Sequence, residues 1–324
     1  MSRAPSPAPA SPAEAIRDAG PPFHDIVPDL TVILRSSDDI DFFVLKSILA
    51  KVSVVFRDMF DLPNAAPEVS SPPESDYQRH GLPIIRVTET SSTLSIILRF
   101  CYPVENPDLS NLKDLRLYLE ARRKYMIEAF DQTIKDALAQ IAESQPFAVF
   151  ALASRYALED VANDAAKKML CFSQADVLVD ESALKDITGA QYYHLMEYRR
   201  DCVRKVTTEP QIMWFNSLSS SYPPTPSTPS SCRTQFHFFF ISLPPRSLWV
   251  PHWWITYLHR ALQLLKDRPR GGTVISPDLL EYFFDCAGIC PDCQEEGKAT
   301  LRNFSSALAK EVEKAIAQAR AIML

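Results

Sequence analysis

The stretch from Asp29 to Phe60 decides the fold, and it reads DLTVILRSSDDIDFFVLKSILAKVSVVFRDMF. An alternating apolar run opens the stretch, a polar break of serines and aspartates follows, and a second short apolar run covers residues 40–44. Two such runs around a polar break predict a β-hairpin. From Lys46 the apolar spacing changes from two to the helical period, with a break at Ser53. The stretch therefore predicts two strands followed by a pair of short helices.

Nine positions of this stretch resemble the opening pattern of the BTB/POZ family, F-x-V-H-K-x-x-L-A-x-x-S-x-x-F-x-x-M-F. The matching residues are Phe42, Val44, Lys46, Leu49, Ala50, Ser53, Phe56, Met59 and Phe60. Asp29 stands where the family has an acidic residue before its first strand. Leu45 departs from the pattern, because the family usually has His there and Leu offers no side-chain donor or acceptor to the neighbouring backbone.

Later residues extend the resemblance to about residues 24–142. The family's L-x-x-x-L-x-F-x-Y and K-Y-x-L patterns are matched by Leu94, Leu98, Phe100 and Tyr102, and by Lys124, Tyr125 and Met126. The sequence around Cys101, Tyr102 and Pro103, with Pro107 and Leu109, is similar to a fungal branch of the family. The resemblance implies an α+β fold, with a small sheet flanked by helices, that dimerises or docks protein partners.

The segments on either side of residues 24–142 differ in composition. Residues 1–22 are rich in Pro and Ala and are predicted to be a disordered tail, since they hold too little apolar surface to offset the entropy of ordering. Residues 146–206 carry apolar stripes at helical spacing and predict a helical extension. Residues 249–324 predict a separate helical C-terminal module, starting with the amphipathic helix around Trp253 and Trp254.

Residues 207–248 interrupt this helical pattern. From Phe215 to Leu248 the chain is rich in Ser, Thr and Pro and then in Phe, a composition that makes a folded segment improbable. Phe, Ser, Leu and Pro are encoded by pyrimidine-rich triplets, and a pyrimidine tract precedes a splice acceptor. The segment is therefore interpreted either as a translated, retained intron or as an interdomain linker.

Composition narrows the function. The 324 residues are enough for two or more domains, and the net charge of -6 gives no general attraction to nucleic acid or an anionic membrane. Only 7 glycines are present, without the Gly-rich loops that cradle phosphates. No signal peptide or membrane-spanning run is recognised, so the protein is predicted to be intracellular, cytoplasmic or nuclear, with reduced cysteines.

Three cysteines form the main candidate metal site: Cys286, Cys290 and Cys293, termed here the cysteine cluster. Zinc needs four tetrahedral ligands, so a fourth would have to come from Cys232, His252 or His259. Free thiols in a turn are the alternative, and no other cofactor is predicted. The basic runs at residues 122–124 and at Arg199 and Arg200 are interpreted as solvated helix faces rather than nucleic-acid contacts.

Three functions follow as hypotheses. The first is a non-catalytic protein-interaction scaffold that forms a homodimer or docks partners, without a direct nucleic-acid, membrane or small-molecule ligand. The second is a substrate adaptor of a cullin ubiquitin ligase, although Ala66, Pro67 and Glu68 lack the bulky residue that such adaptors present in the loop after Phe60. The third is a zinc-dependent or redox enzyme that uses the cysteine cluster.

Overall fold

A computed structural model of the chain describes residues 16–61, 78–127, 131–177, 180–207, 233–238, 246–288 and 294–319. The chain divides into two compact units, residues 1–137 and 138–324. The division falls within a helix that spans Asp131–Ile141. Each unit is described by itself below.

The first unit is built on a five-stranded mixed sheet with the strand order β1-β3-β2-β5-β4. The strands are β1 (Arg17–Asp18), β2 (Thr31–Arg35), β3 (Ile40–Leu45), β4 (Gln78–Arg79) and β5 (Leu82–Arg86). Strands β2 and β3 form the predicted antiparallel hairpin, which is confirmed. Strand β5 then lies parallel to β2, and β1 lies parallel to β3.

Strand β2 is buried along its whole length, although its sequence begins as an alternating apolar run. All five residues from Thr31 to Arg35 are buried, because β2 is the middle strand of the sheet, with β3 on one side and β5 on the other. Leu30, the first member of the alternating run, lies just before the strand and is 52% exposed. Central strands covered on both faces lose the simple inside–outside alternation.

Helices follow the strands of the first unit along the chain, and the last of them extends past residue 137. They are α1 (Lys46–Val52), α2 (Val54–Asp61), α3 (Ser91–Cys101), α4 (Leu112–Lys124) and α5 (Asp131–Ile141). The predicted break at Ser53 is confirmed, since this residue has extended backbone angles between α1 and α2. The Ser53 hydroxyl accepts a hydrogen bond from the Phe56 N–H (3.1 Å) and donates one to the carbonyl of Tyr125 (2.5 Å). One side chain thus starts α2 and joins it to the end of α4.

Regular structure begins within residues 1–22, the segment that was predicted to be a disordered tail. Strand β1 lies inside that segment, and the Ala19 N–H donates to the carbonyl of Asp41 (2.8 Å). Phe23, which follows directly, is 2% exposed and packs edge-on against Tyr102 with ring centroids 5.4 Å apart. Pairing with β3 and burial of Phe23 supply contacts that composition alone does not reveal. Residues 1–15 lie outside the described residues.

The second unit is mainly helical, and together the two units confirm the predicted α+β fold followed by helices. Its first helices are α6 (Pro146–Arg155), α7 (Glu159–Met169), α8 (Glu181–Leu184) and α9 (Gly189–Thr207). Later in the chain follow α10 (His252–Asp267), α11 (Gly271–Val274), α12 (Pro277–Gly288) and α13 (Gln294–Ala317). Helices α10 and α13 both pack against α9, so the predicted extension and C-terminal module belong to one compact unit.

A two-stranded antiparallel hairpin begins within the segment that composition marks as a linker or retained intron and ends just beyond it, at Pro251. It consists of β6 (Arg233–Phe238) and β7 (Arg246–Pro251). In β6 the polar residues Gln235 and His237 alternate with β-prone residues, which is the sequence pattern of a strand within the low-complexity region. The structure therefore differs from the expectation of an unfolded segment at these two strands. The choice between linker and retained intron stays a prediction.

Within the part of the chain that the structure describes, none of the helices combines the length and apolarity needed to cross a membrane.

Candidate protein-interaction surface

Three large aliphatic side chains lie exposed on one turn of the first unit. Ile26 is 47% exposed, Val27 39% and Leu30 52%. Single exposed apolar residues are ordinary on protein surfaces, but a group of three within five residues is a candidate contact area. We refer to Ile26, Val27 and Leu30 as the apolar turn. The sequence patterns did not single out Ile26 or Val27, although apolar residues around a proline at Pro28 could have signalled them.

Hydrogen bonds hold the apolar turn in place. The carbonyl of Val27 accepts from the N–H groups of Leu30 (3.3 Å) and Thr31 (3.1 Å), and the Val27 N–H donates to the Thr31 hydroxyl (2.9 Å). Asp29 completes the turn in the left-handed region, at φ 63°. The Lys46 N–H donates to the Leu30 carbonyl (3.0 Å), so the turn lies against the start of α1. The exposed side chains are therefore presented from a fixed backbone.

A second exposed apolar pair lies at the other end of α1. Val54 is 45% exposed and Met126 is 62% exposed. Their neighbours Ser53 and Ile127 form an antiparallel β-bridge, which brings the two side chains to the same area of the surface. Met126 has a positive φ of 50°, an uncommon conformation for a long side chain.

The residues that carry the family pattern mostly build the frame rather than the surface. Phe56 is fully buried and stacks on Tyr125, with ring centroids 4.4 Å apart and planes 9° from parallel. Glu89 accepts hydrogen bonds from Lys124 (2.8 Å) and from the hydroxyl of Tyr125. Burial opposes ionisation of Glu89, but these bonds outweigh it and hold its pKa below the ordinary value. The Lys-Tyr pair thus anchors the end of α4.

A buried ion network joins four strands of the sheet. Asp41 on β3 is fully buried and accepts hydrogen bonds from Arg35 Nε (2.6 Å) and Nη2 (2.9 Å) on β2 and from Arg79 Nη1 (2.8 Å) on β4. Arg79 also pairs with Asp18 on β1. Burial would raise the pKa of Asp41, but the hydrogen bonds from both arginines outweigh it and leave the pKa lowered. The network stays ionised at neutral pH.

Leu45 stands where the family usually has His, but its backbone N–H still makes a polar contact. The Leu45 N–H donates to the hydroxyl of Tyr102 (2.6 Å), which links the end of β3 to the end of α3. Tyr102 belongs to the second pattern of the resemblance. The contact with the neighbouring backbone is therefore made by a tyrosine from another element.

The prediction that both basic runs lie on solvated helix faces is wrong for Arg199. Arg199 is only 8% exposed, and its guanidinium donates to the carbonyls of Met169 (3.0 Å) and Phe172 (2.9 Å) and also to that of Asp267. These carbonyls lie at or just beyond the C-terminal ends of α7 and α10, where the helix dipole favours a positive charge. Arg200, its neighbour, is exposed as expected.

The predicted metal site lies almost entirely outside the described residues. Cys286 is in helix α12, but its side chain, Cys290 and Cys293 are not among the described groups. Of the candidate fourth ligands, only His259 has a described side chain, which is exposed on α10. Across the described ranges no three metal-ligating side chains come together. The residues that were compared with the cullin-adaptor motif also lie outside these ranges: Ala66, Pro67 and Glu68.

The geometry of the first unit suits protein recognition. A rigid sheet, pinned by a buried ion network, presents exposed aliphatic side chains on a hydrogen-bonded turn, an arrangement that buries apolar surface against a partner. Residues 25–142 match the family model of the BTB/POZ domain, so the chain contains this protein-interaction domain. BTB/POZ is not an enzyme family. The match is to the family as a whole and leaves the fungal branch a prediction. No curated protein matches the chain.

Proposed function

We propose that the protein is a non-catalytic interaction scaffold whose BTB/POZ unit pairs with a second copy through the apolar turn and the adjoining face of α1. The observation that carries this proposal is the exposure of Ile26, Val27 and Leu30 on a backbone that hydrogen bonds hold rigid. A preformed surface loses little conformational entropy on binding. BTB/POZ domains also commonly dimerise, which favours a second copy as the partner. The same family relation supports an intracellular location.

The area of contact has to extend beyond the apolar turn. A stable interface buries roughly 1,200 Å² or more in total, which three side chains do not supply. Half-buried Ile48, near the start of α1, is available next to it, since the Leu30 carbonyl accepts a hydrogen bond from the N–H of Lys46, the first residue of this helix. The turn supplies an apolar anchor, and α1 supplies the surrounding area.

Sedimentation of the full chain at micromolar concentration tests the proposal. We expect a dimer for the natural sequence and a dissociation constant about tenfold or more higher for Leu30→Asp. Completing the burial of a half-exposed Leu is worth about 1 kcal/mol, and the introduced carboxylate adds a desolvation cost.

Met126→Asp is the matched control, because Met126 is also exposed and its positive φ is one that Asp accepts. This control should leave the dimer unchanged. A monomer for the natural sequence, or equal effects of the two aspartates, would show that the turn is not the contact surface.

A further inference from the structure

An open groove of about 740 Å³ lies within the second unit, between α10 and α12. Arg260 and Leu264 on α10, with Arg268 just beyond its end, line one wall. Leu279 and Tyr282 on α12 line the opposite wall. A concave site of this volume, with apolar walls and a few polar groups, has the size range of binding sites. All of its described lining residues belong to the second unit.

The packing of the two helices fixes the shape of the groove. Tyr257 on α10 packs edge-on against Phe283 on α12, with ring centroids 5.6 Å apart, and its hydroxyl donates to the carbonyl of Val274 (2.7 Å). Both aromatic rings are buried. Tyr282, next to Phe283, is instead 62% exposed and stands at the edge of the groove. An exposed aromatic ring beside fixed apolar walls offers contact area at low entropic cost.

Positive charge dominates the lining, in a protein whose net charge is -6. Arg260 is exposed and makes no hydrogen bond or ion pair with any of the described residues. Among the described residues the Arg268 guanidinium forms one ion pair, with Asp267 at 3.9 Å, and both side chains are about half exposed, so this pair is weak. Asp278 is the one acidic side chain among the described residues of the lining. The two guanidinium groups remain available to a carboxylate ligand.

The spacing along the arginine wall favours an extended peptide. Arg260, Leu264 and Arg268 are four residues apart, and the Arg268 N–H donates to the Leu264 carbonyl (2.8 Å), so the helical turn continues to Arg268. With a helical rise of about 1.5 Å per residue, the three positions follow one another at about 6 Å. Alternate side chains of an extended chain lie on one face about 6.6 Å apart. The two spacings nearly coincide over three positions.

We propose that this groove binds an extended acidic segment of a partner protein, in which two Asp or Glu residues four positions apart flank an apolar residue. The two carboxylates pair with Arg260 and Arg268, whose planar guanidinium groups can each donate two hydrogen bonds to a carboxylate. The apolar residue between them lies over Leu264, opposite Tyr282. The binding site belongs to the second unit and does not depend on dimerisation of the first.

Fluorescence polarisation with the full chain and labelled peptides tests this proposal. The probe is Glu-Thr-Leu-Thr-Glu, and the comparison peptides are Gln-Thr-Leu-Thr-Gln and the respaced Thr-Glu-Glu-Thr-Leu. We expect the probe to bind at least about tenfold more tightly than either comparison peptide, since each carboxylate–guanidinium pair contributes a charge-assisted hydrogen bond.

Some substitutions in the groove should weaken binding of the probe, and one should strengthen it. Arg260→Gln and Arg268→Gln should each weaken binding of the probe about fivefold, by loss of a charged donor. Asp278→Asn should strengthen it, because a like charge is removed from the lining. Lys266→Gln changes the same charge on the same helix, at a residue outside the groove, and should have no effect. Melting curves of all variants show whether they keep the fold.

Three results would overturn the proposal: equal binding of the glutamate and glutamine peptides, equal effects of the Arg260→Gln and Lys266→Gln variants, or tight binding of decanoate when no peptide binds. The last result would assign the groove to a small amphipathic anion. Sedimentation of the same variants separates this test from the dimer proposal, since groove variants should leave the oligomeric state unchanged.

Discussion

Replacing Asp41 by Asn should weaken the first unit by about 3–5 kcal/mol, the usual cost of breaking a buried ion pair. The side chain of Asp41 is fully buried and accepts three hydrogen bonds from two arginines. Asn keeps the shape but removes the charge, so the 2% exposed guanidinium of Arg35 loses its counter-charge. The network also joins β1, β2, β3 and β4, so we expect the loss to loosen the whole sheet.

Hydrogen exchange of peptides covering residues 31–45 measures this loss. Exchange through opening of the sheet should accelerate about a hundredfold or more, because every 1.4 kcal/mol is a factor of ten. Tryptophan fluorescence would miss the change, since all four tryptophans belong to the second unit. Asp39→Asn is the control, because the Asp39 side chain is 42% exposed and its pair with Arg86 (3.2 Å) is worth at most about 1 kcal/mol. Equal exchange rates in the two variants would refute the reasoning.

The same network predicts the direction of the pH dependence. The pKa of Asp41 is lower in the folded protein than the value of about 3.9 in an unfolded chain. Its stabilising contribution is therefore complete above pH ~4 and is lost as the pH falls through the lower, folded pKa. Glu89 acts in the same direction. In the Asp41→Asn variant, the protection factors over residues 31–45, which correct for the slower intrinsic exchange in acid, should fall less on acidification than in the natural sequence. An unchanged acid response would contradict this assignment.

The remaining predictions concern the helices and the cysteine cluster. Phe56→Asp should unfold the first unit, since a charge buried against Tyr125 costs several kcal/mol; a soluble variant that melts cooperatively would contradict this. Arg199→Met should lower the free energy of unfolding of the second unit by about 2–4 kcal/mol, which urea unfolding followed by tryptophan fluorescence measures. Arg200→Met is the control: Arg200 is the exposed neighbour, and its replacement should change this free energy by under about 1 kcal/mol. Triple serine replacement of the cysteine cluster should leave partner binding unchanged, and metal analysis showing one zinc per chain would support the metal site instead.

Local patterns were enough to predict several elements of the first unit. The hairpin of β2 and β3 and the break at Ser53 depend on spacing and turn residues within a few positions. Such signals act between neighbours in the chain, so they can be seen without the fold. The BTB/POZ pattern was recognised for the same reason, because its residues occupy a short stretch at fixed distances.

The tertiary structure decided which side chains meet across the chain. Asp18, Arg35, Asp41 and Arg79 form one network although 61 residues separate the first from the last, and no local period marks them as partners. Arg199 was expected in solvent because a basic residue on a helix is usually solvated. It is buried instead because the ends of two other helices bring backbone carbonyls to it. The groove beside Arg260 likewise exists only because α10 and α12 pack together, a contact that depends on the whole unit rather than on either helix sequence.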